Sequence, residues 1–356
     1  EYNLNGRIEC TTGALGEGFA TAVGMAMAEK HLEATYNRKK NILFDYYVYC
    51  MVSDGDLMEG ITYEAASLAG TLGLDNLIVL YDCNNVTHDG NTDNVFEEDI
   101  IGRFTSMDWD VIHVKNGESI KEISNAIDKA KKNKKPTLIG IDTTLGIYSK
   151  YEGTNKVHSG VLSQEDLTNV RNTLGSMGAF TYDKDAMLGI RNYVSDRCSD
   201  YYKDWYLDYE LYMANSTERE KDNINYIIER DNITLKLDNV IDPSKIFVDK
   251  TMRDINYQVM NVITTFIPNF IGGSADMVGT TKTYLKNKGD FSIDNYAGKN
   301  IFFGVREASM GAILNGFALT GFRTFASTML AFSDYMKPEI RLSAMMGLPV
   351  TYIFTH

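Results

Sequence analysis

Asp54, Gly55, Asp56 and Glu59 stand together in "YCMVSDGDLMEG", residues 49 to 60, directly after a hydrophobic run. Thirty residues beyond Asp54, Asn84 follows a second apolar run, "NLIVLYDC". Ligands of a parallel α/β sheet bind beyond the carboxyl ends of its strands, so polar residues just after two successive strands share one rim. A carboxylate, an amide oxygen and a nearby backbone carbonyl form a hard-oxygen set suited to Mg²⁺ or Ca²⁺, whose remaining positions commonly take phosphate oxygens. The chemistry indicated is a metal-bridged diphosphate. An Asp-Gly turn after a strand is also ordinary loop chemistry, and on these residues alone both readings stand.

The elements that must carry this rim alternate in type. "TTGALGEGFATAVGMAMAEKHLEA" reads as a glycine-rich turn feeding a helix of small residues, "YYVYCMV" as a strand, and "TYEAASLAGTL" as a helix stopped near Gly73. The strand "NLIVLYDC", a helical stretch over 96–106, the strand "WDVIHV", the amphipathic helix "SIKEISNAIDKAKK" and the strand "PTLIGIDTT" follow. This rhythm predicts βαβ crossovers and a parallel sheet covered on both faces. Between about 165 and 246 the pattern becomes helical and rich in Tyr, Asp, Lys and Glu. The βα rhythm then resumes through "NIFFGV" and "ASMGAILNGFALTG" to a last strand, "VTYIFT". The expected organisation is therefore α/β with two parallel-sheet domains, over 1–185 and 247–356, joined by a helical excursion over 186–246.

Composition narrows the partners. A formal charge of −13 and a pI near 4.9 disfavour nucleic acid and anionic membranes, so any phosphate must be held locally. Cys10, Cys50, Cys83 and Cys198 are scattered without a CxxC pair, which fits a reducing compartment and a cytoplasmic location. No apolar run reaches the roughly 18 residues of a membrane span, and the first ten residues lack the pattern of a signal peptide. The chain starts without Met and ends on a strand whose loop is absent, as a fragment would.

"SDGDLMEG" followed at that spacing by "NNVT" resembles the thiamine diphosphate motif. Together with "TTGALGEGFATAVGMAMAEK", "GGSADM" and "GVREASMGAILNG" in this order, it makes the chain resemble transketolase from residue 1 to 356, incomplete at both ends. The resemblance implies two thiamine diphosphate-binding-fold domains, a diphosphate-binding (PP) one and a truncated pyrimidine-binding (Pyr) one. It also implies transfer of a two-carbon ketol unit between sugar phosphates, in the non-oxidative pentose phosphate pathway, by way of a cofactor-stabilised carbanion. A homodimer with its active site at the subunit interface is implied as well. Other thiamine diphosphate enzymes, such as deoxyxylulose-phosphate or dihydroxyacetone synthase, and a non-catalytic transketolase-like fragment, are the alternatives.

Carried over residue by residue, the resemblance makes Asp54, Asn84 and the Val86 carbonyl the metal ligands, with Gly13, Leu15 and Gly55 beside the cofactor. It gives His158 a place against the diphosphate and the reacting carbons, and makes Glu307 the partner of the aminopyrimidine ring. Asp276, Phe332 and Tyr335 belong to the pyrimidine pocket, Arg253, Thr280 and His356 to the sugar phosphate, and Glu59 reaches toward the partner subunit's Glu307. Read without the resemblance, Glu307 is a helix-capping acid, Arg253 a surface charge, His158 a solvated loop residue, and Phe332 with Tyr335 a core stripe. His31, His88 and His113 receive no role, and Asp56 stays unassigned. Departures from the family pattern are Ala14, Glu17, Ser53, Asn155, Ser159, Ala308, Ser309 and Met329. Of these, Ser53 replaces a glycine, where a positive φ would be costly.

Overall fold

The run "EGFATAVGMAMAEKHLEATY" forms helix α1 (Glu17–Tyr36), and its buried residues lie on every side of it. Such a helix belongs inside a protein rather than on its surface. Its main partner is the equally buried helix over Glu307–Leu319, and the two touch along much of their lengths. Small residues make this contact possible. A Cβ on Gly24 would fall 2.0 Å from the Ile313 carbonyl oxygen, and one on Gly316 would fall 2.2 Å from that of Thr21.

The computed structural model describes residues 2, 8–176, 178–229, 241–242, 244 and 249–356. In the first unit, the β-branched and aliphatic runs form strands β1 (Val48–Ser53), β2 (Leu77–Cys83), β3 (Asp110–Val114) and β4 (Thr137–Asp142). They pair in parallel in the order β1-β2-β4-β3. Between them run the short α2 (Asp54–Met58), α3 (Gly60–Thr71), α4 (Ile100–Ser106) and α5 (Ile120–Ala130). One face of the sheet packs on α1 and α3, and the other packs on α5 through Ile78, Val114, Ala126 and Ile139.

Coverage of both faces holds only in part. α5 lies over β3 and β4, so on the edge strand β1 Tyr49 and Met51 stay 46% and 77% exposed. The helix expected over 96–106 starts only at Ile100, because Asp99 caps it by accepting a hydrogen bond from the Gly102 N–H at 2.8 Å.

Three helices follow: α6 (Gln164–Thr173), the 31-residue α7 (Lys184–Ala214) and α8 (Glu218–Ile228). The end of α7 and the start of α8 are fastened to the first unit. Trp205 Nε1 donates to the Leu43 carbonyl at 3.0 Å, Arg38 bonds Ser216 and Glu220, and Tyr212 is buried. The expected boundary at 185/186 falls in the first turn of α7, and the one at 246/247 lies outside the described residues.

The second unit holds α9 (Met252–Ile263), β5 (Phe270–Ser274), α10 (Val278–Thr281), β6 (Asn300–Phe302), α11 (Glu307–Leu319), β7 (Arg323–Met329), α12 (Lys337–Met346) and β8 (Val350–Thr355). Its sheet is also parallel, in the order β6-β5-β7-β8. The strand expected through "NIFFGV" stops at Phe302, before Gly304 turns the chain at φ 68° into α11. No described helix is long and apolar enough to cross a membrane.

Candidate cofactor and phosphate sites

β1 ends on Ser53 and β2 ends on Cys83, neighbours in one sheet, so Asp54 and Asn84 emerge on the same rim. Asp54 is 2% exposed. One of its carboxylate oxygens accepts the Tyr81 hydroxyl, and the other accepts the Asn85 N–H at 2.9 Å. Asn85 reaches it from a left-handed backbone, φ 57°, a conformation asparagine tolerates better than most residues. Burial pushes the Asp54 carboxyl above the ordinary carboxylate range, while its hydrogen bonds from Tyr81 and Asn85 pull it down. A buried carboxylate with no ion pair among the described residues is what a divalent ion would stabilise.

Asn84 and Val86 complete this rim. Asn84 Oδ1 accepts the Val86 N–H at 2.9 Å, and its Nδ2 donates to Asp82 at 3.1 Å, so the tight turn holds the amide beside the Val86 backbone. Among the described residues no group of three or more His, Cys, Asp or Glu side chains could hold a metal. The candidate set has one carboxylate and relies on amide and carbonyl oxygens, the donor mixture of a hard cation that also binds phosphate. Gly55 fits the same picture. A Cβ there would meet Leu15 Cδ1 at 2.8 Å, so the missing side chain leaves a cradle between the start of α2 and the half-exposed Leu15. Gly13 is exposed, with open space about it.

The unassigned Asp56 has a structural task. Its carboxylate accepts the Ser53 N–H and hydroxyl at 2.9 Å and the Gly16 N–H at 3.0 Å. It thereby closes a capping box on α2 and ties the glycine-rich segment to the end of β1. Ser53 sits at φ −113°, an extended conformation open to any residue, so the feared strain is absent.

His158 is exposed, and its ring lies 5.7 Å from that of His88. Asn155 donates to the His88 carbonyl at 3.2 Å, and Ser159 Oγ lies 3.0 Å from His88 Nε2. Two departures from the family pattern thus fasten the His158 loop to the turn that carries Val86. His88, given no role from sequence, is the residue they hold.

In the second unit Glu307 opens α11 and is 8% exposed. Burial raises its carboxyl above the usual range, and the nearby Glu64 adds to the rise. Glu64, on α3, accepts the Ser309 N–H at 3.0 Å, and so joins the two units beside Glu307. Sequence reasoning passed over Glu64, although it lies one helical turn beyond Gly60 on the element that follows the acidic turn. Glu59 is exposed and stands at the N-cap position of α3 without a side-chain capping hydrogen bond. Asp276 follows β5 at φ 56° and is exposed. Phe332 is half-buried and Tyr335 is 64% exposed, so this pair is not a core stripe; Met336 beside them fills the core.

Arg253 and His356 line one cavity of about 470 Å³. Arg253 Nη1 donates to the Thr280 carbonyl at 2.9 Å, and no acidic partner of Arg253 is found among the described residues. The structure therefore gathers Arg253, Thr280 and His356 at one end of the second sheet and Asp54, Asn84 and Val86 at one end of the first. The cavity that Arg253 and His356 line includes none of the first group.

Residues 1–231 match the family model described as the thiamine diphosphate binding domain of transketolase, and residues 249–356 match its pyrimidine binding domain. The transketolase of Bacillus subtilis strain 168 is 42% identical over 365 residues, covering 100% of this chain and 54% of that protein. That of Aquifex aeolicus is 38% identical over 358 residues, covering 100% and 51%. Among solved structures, transketolase from Leishmania mexicana superposes with a TM-score of 0.94 at 35% identity, over 100% of this chain and 53% of that one. The Pichia stipitis enzyme in complex with sedoheptulose 7-phosphate gives 0.91 at 33%, over 98% and 53%. The chain spans about half the length of the relatives it matches. With both family models matched in order and almost every residue aligned, this chain belongs to the transketolase family.

Proposed function

We propose that this chain contributes to a transketolase, which moves a two-carbon ketol unit from a ketose phosphate to an aldose phosphate. The observation that carries the reading is the hard-oxygen set of Asp54, Asn84 and the Val86 carbonyl at the ends of two adjacent parallel strands. In this reading those groups would hold Mg²⁺ or Ca²⁺, and Gly55, Gly13 and Leu15 would leave room for the cofactor's diphosphate. Thiamine diphosphate, when bound, supplies an electron sink for the transferred two-carbon fragment. The other tasks belong to the protein. Burial shifts the Glu307 carboxyl upward, toward the form that could share a proton with a ring nitrogen of the aminopyrimidine. Asp276, Phe332 and Tyr335 border that ring, His158 anchors or relays protons at the substrate hydroxyls, and Arg253, Thr280 and His356 hold the sugar phosphate. An arginine without a carboxylate partner is free to grip phosphate through two parallel hydrogen bonds.

The reading extends to a homodimer in which Glu59 approaches the partner's Glu307, to a cytoplasmic location and to the pentose phosphate pathway. It divides the chain into a diphosphate-binding unit, a helical segment attached to it, and a pyrimidine-binding unit. Glu307→Ala tests proton control. The variant should keep metal-dependent cofactor binding and lose turnover by about a hundredfold or more, measured with a ketose phosphate donor and an aldose phosphate acceptor. Near-normal turnover would remove Glu307 from the mechanism. Binding without turnover in the unsubstituted chain would favour the non-catalytic alternative.

A further inference from the structure

A second polar cavity, of about 650 Å³, opens where the two units meet, between the end of α1, α8, the end of α9 and the turn before β6. Its cations are unusual for so acidic a protein. Arg219, Lys288 and Lys299 all line it, and no acidic partner of any of them is found among the described residues. Lys299 N–H donates to the Lys288 and Gly289 carbonyls at 3.1 Å, so the backbone fixes the two lysines side by side. Lys299 is half-buried, and its ammonium donates to the Pro268 carbonyl. The carboxylates at this cavity are Glu220, already paired with Arg38 at 3.1 Å, and the exposed Asp222.

A neutral group points the same way. Thr264 is 3% exposed, lines the cavity, and its hydroxyl is buried without a hydrogen-bond partner. A buried hydroxyl left without a partner is costly unless something accepts from it. Tyr36, Tyr226 and the half-exposed Phe266 supply ring surface on the remaining walls.

We propose that this cavity binds a phosphate-bearing small molecule, its phosphate held by Lys288, Lys299, Arg219 and the Thr264 hydroxyl and its organic part lying against the aromatic wall. The size suits such a ligand, since small-molecule sites run from about 300 to 1,000 Å³. Burial and the neighbouring Lys288 push the Lys299 ammonium down to about 8, and a bound anion would offset both effects. Because α1 belongs to the first unit, α8 is fastened to it, and α9 with the turn belongs to the second, the ligand would bridge the two units. The site shares no lining residue with the Arg253 cavity, and the inference does not depend on the proposed reaction.

The test is calorimetric titration of the full chain with pyrophosphate in EDTA, without thiamine diphosphate, so that metal-dependent binding at Asp54 cannot contribute. Saturable binding is expected, weakened about tenfold or more by Lys288→Gln and several-fold by Thr264→Val, and retained by Arg253→Gln. Lys288 is only half-buried and Thr264→Val conserves shape, so at least one variant should fold normally. No binding at millimolar pyrophosphate would overturn the proposal. So would binding that survives both Lys288→Gln and Thr264→Val, or that disappears only with Arg253→Gln.

Discussion

Asp56 illustrates how a residue beside a reactive position can matter without touching a ligand. Its carboxylate answers three donors on two segments, Ser53 N–H and hydroxyl and Gly16 N–H. Removing it strands backbone donors near the proposed diphosphate cradle. Asp56→Ala should therefore cost about 1–3 kcal/mol in a urea unfolding experiment, and should also weaken cofactor binding; an unchanged midpoint would contradict the capping role. Asp54 and Asn84 were legible in the sequence because both follow strand-like runs, and strand ends in parallel sheets share a rim. The partners that orient them were not. Tyr81 and Asn85 reach Asp54 from about thirty residues away, and a hydrogen bond of that span leaves no local pattern. His88 was passed over for the same reason: Asn155 and Ser159 lie 67 and 71 residues beyond it.

At the scale of elements, α1 and α12 meet through two acids. Glu17 and Glu339 are 3% and 1% exposed and face each other, and the Oε2 atom of each has no hydrogen-bond partner elsewhere in the described residues. Burial raises the Glu339 carboxyl well above its ordinary 4.5, and Glu17 raises it further. The sign follows from linkage: the folded chain keeps this proton to higher pH than the unfolded chain does. Its stabilising effect is then full below about 4.5 and is lost as pH rises through the folded value. The urea midpoint should fall as solution passes from acid to alkaline, and Glu339→Gln should flatten that fall and raise stability at the alkaline end. An unchanged pH profile in Glu339→Gln would contradict the shared-proton account. Most elements were legible in the sequence, since alternating β-branched runs and small-residue helices carry their own periodicity. What was not legible is their depth: α1 packs on α11 through Gly24 and Gly316, a contact between segments about 290 residues apart.

For the molecule as a whole, the two parallel sheets stand on either side of the α1 and α11 pair, each with its candidate groups at the strand ends. The Asp54 set and the Arg253 cavity are separate features of one chain. A site combining them at a subunit interface requires a second copy, so sedimentation in the presence of cofactor and Mg²⁺ should give twice the 40.0 kDa chain mass. A monomer that binds cofactor tightly would contradict assembly across an interface.

The central claim is that Asp54 and its neighbours hold a metal-bridged diphosphate, and titration of the chain with thiamine diphosphate tests it most directly, in Mg²⁺ and in EDTA, for the native sequence and for Asp54→Asn. The account predicts saturable binding in Mg²⁺ that disappears in EDTA and falls at least about tenfold in Asp54→Asn, the loss of one charged ligand. Binding that is indifferent to EDTA, or undiminished in Asp54→Asn, would contradict it.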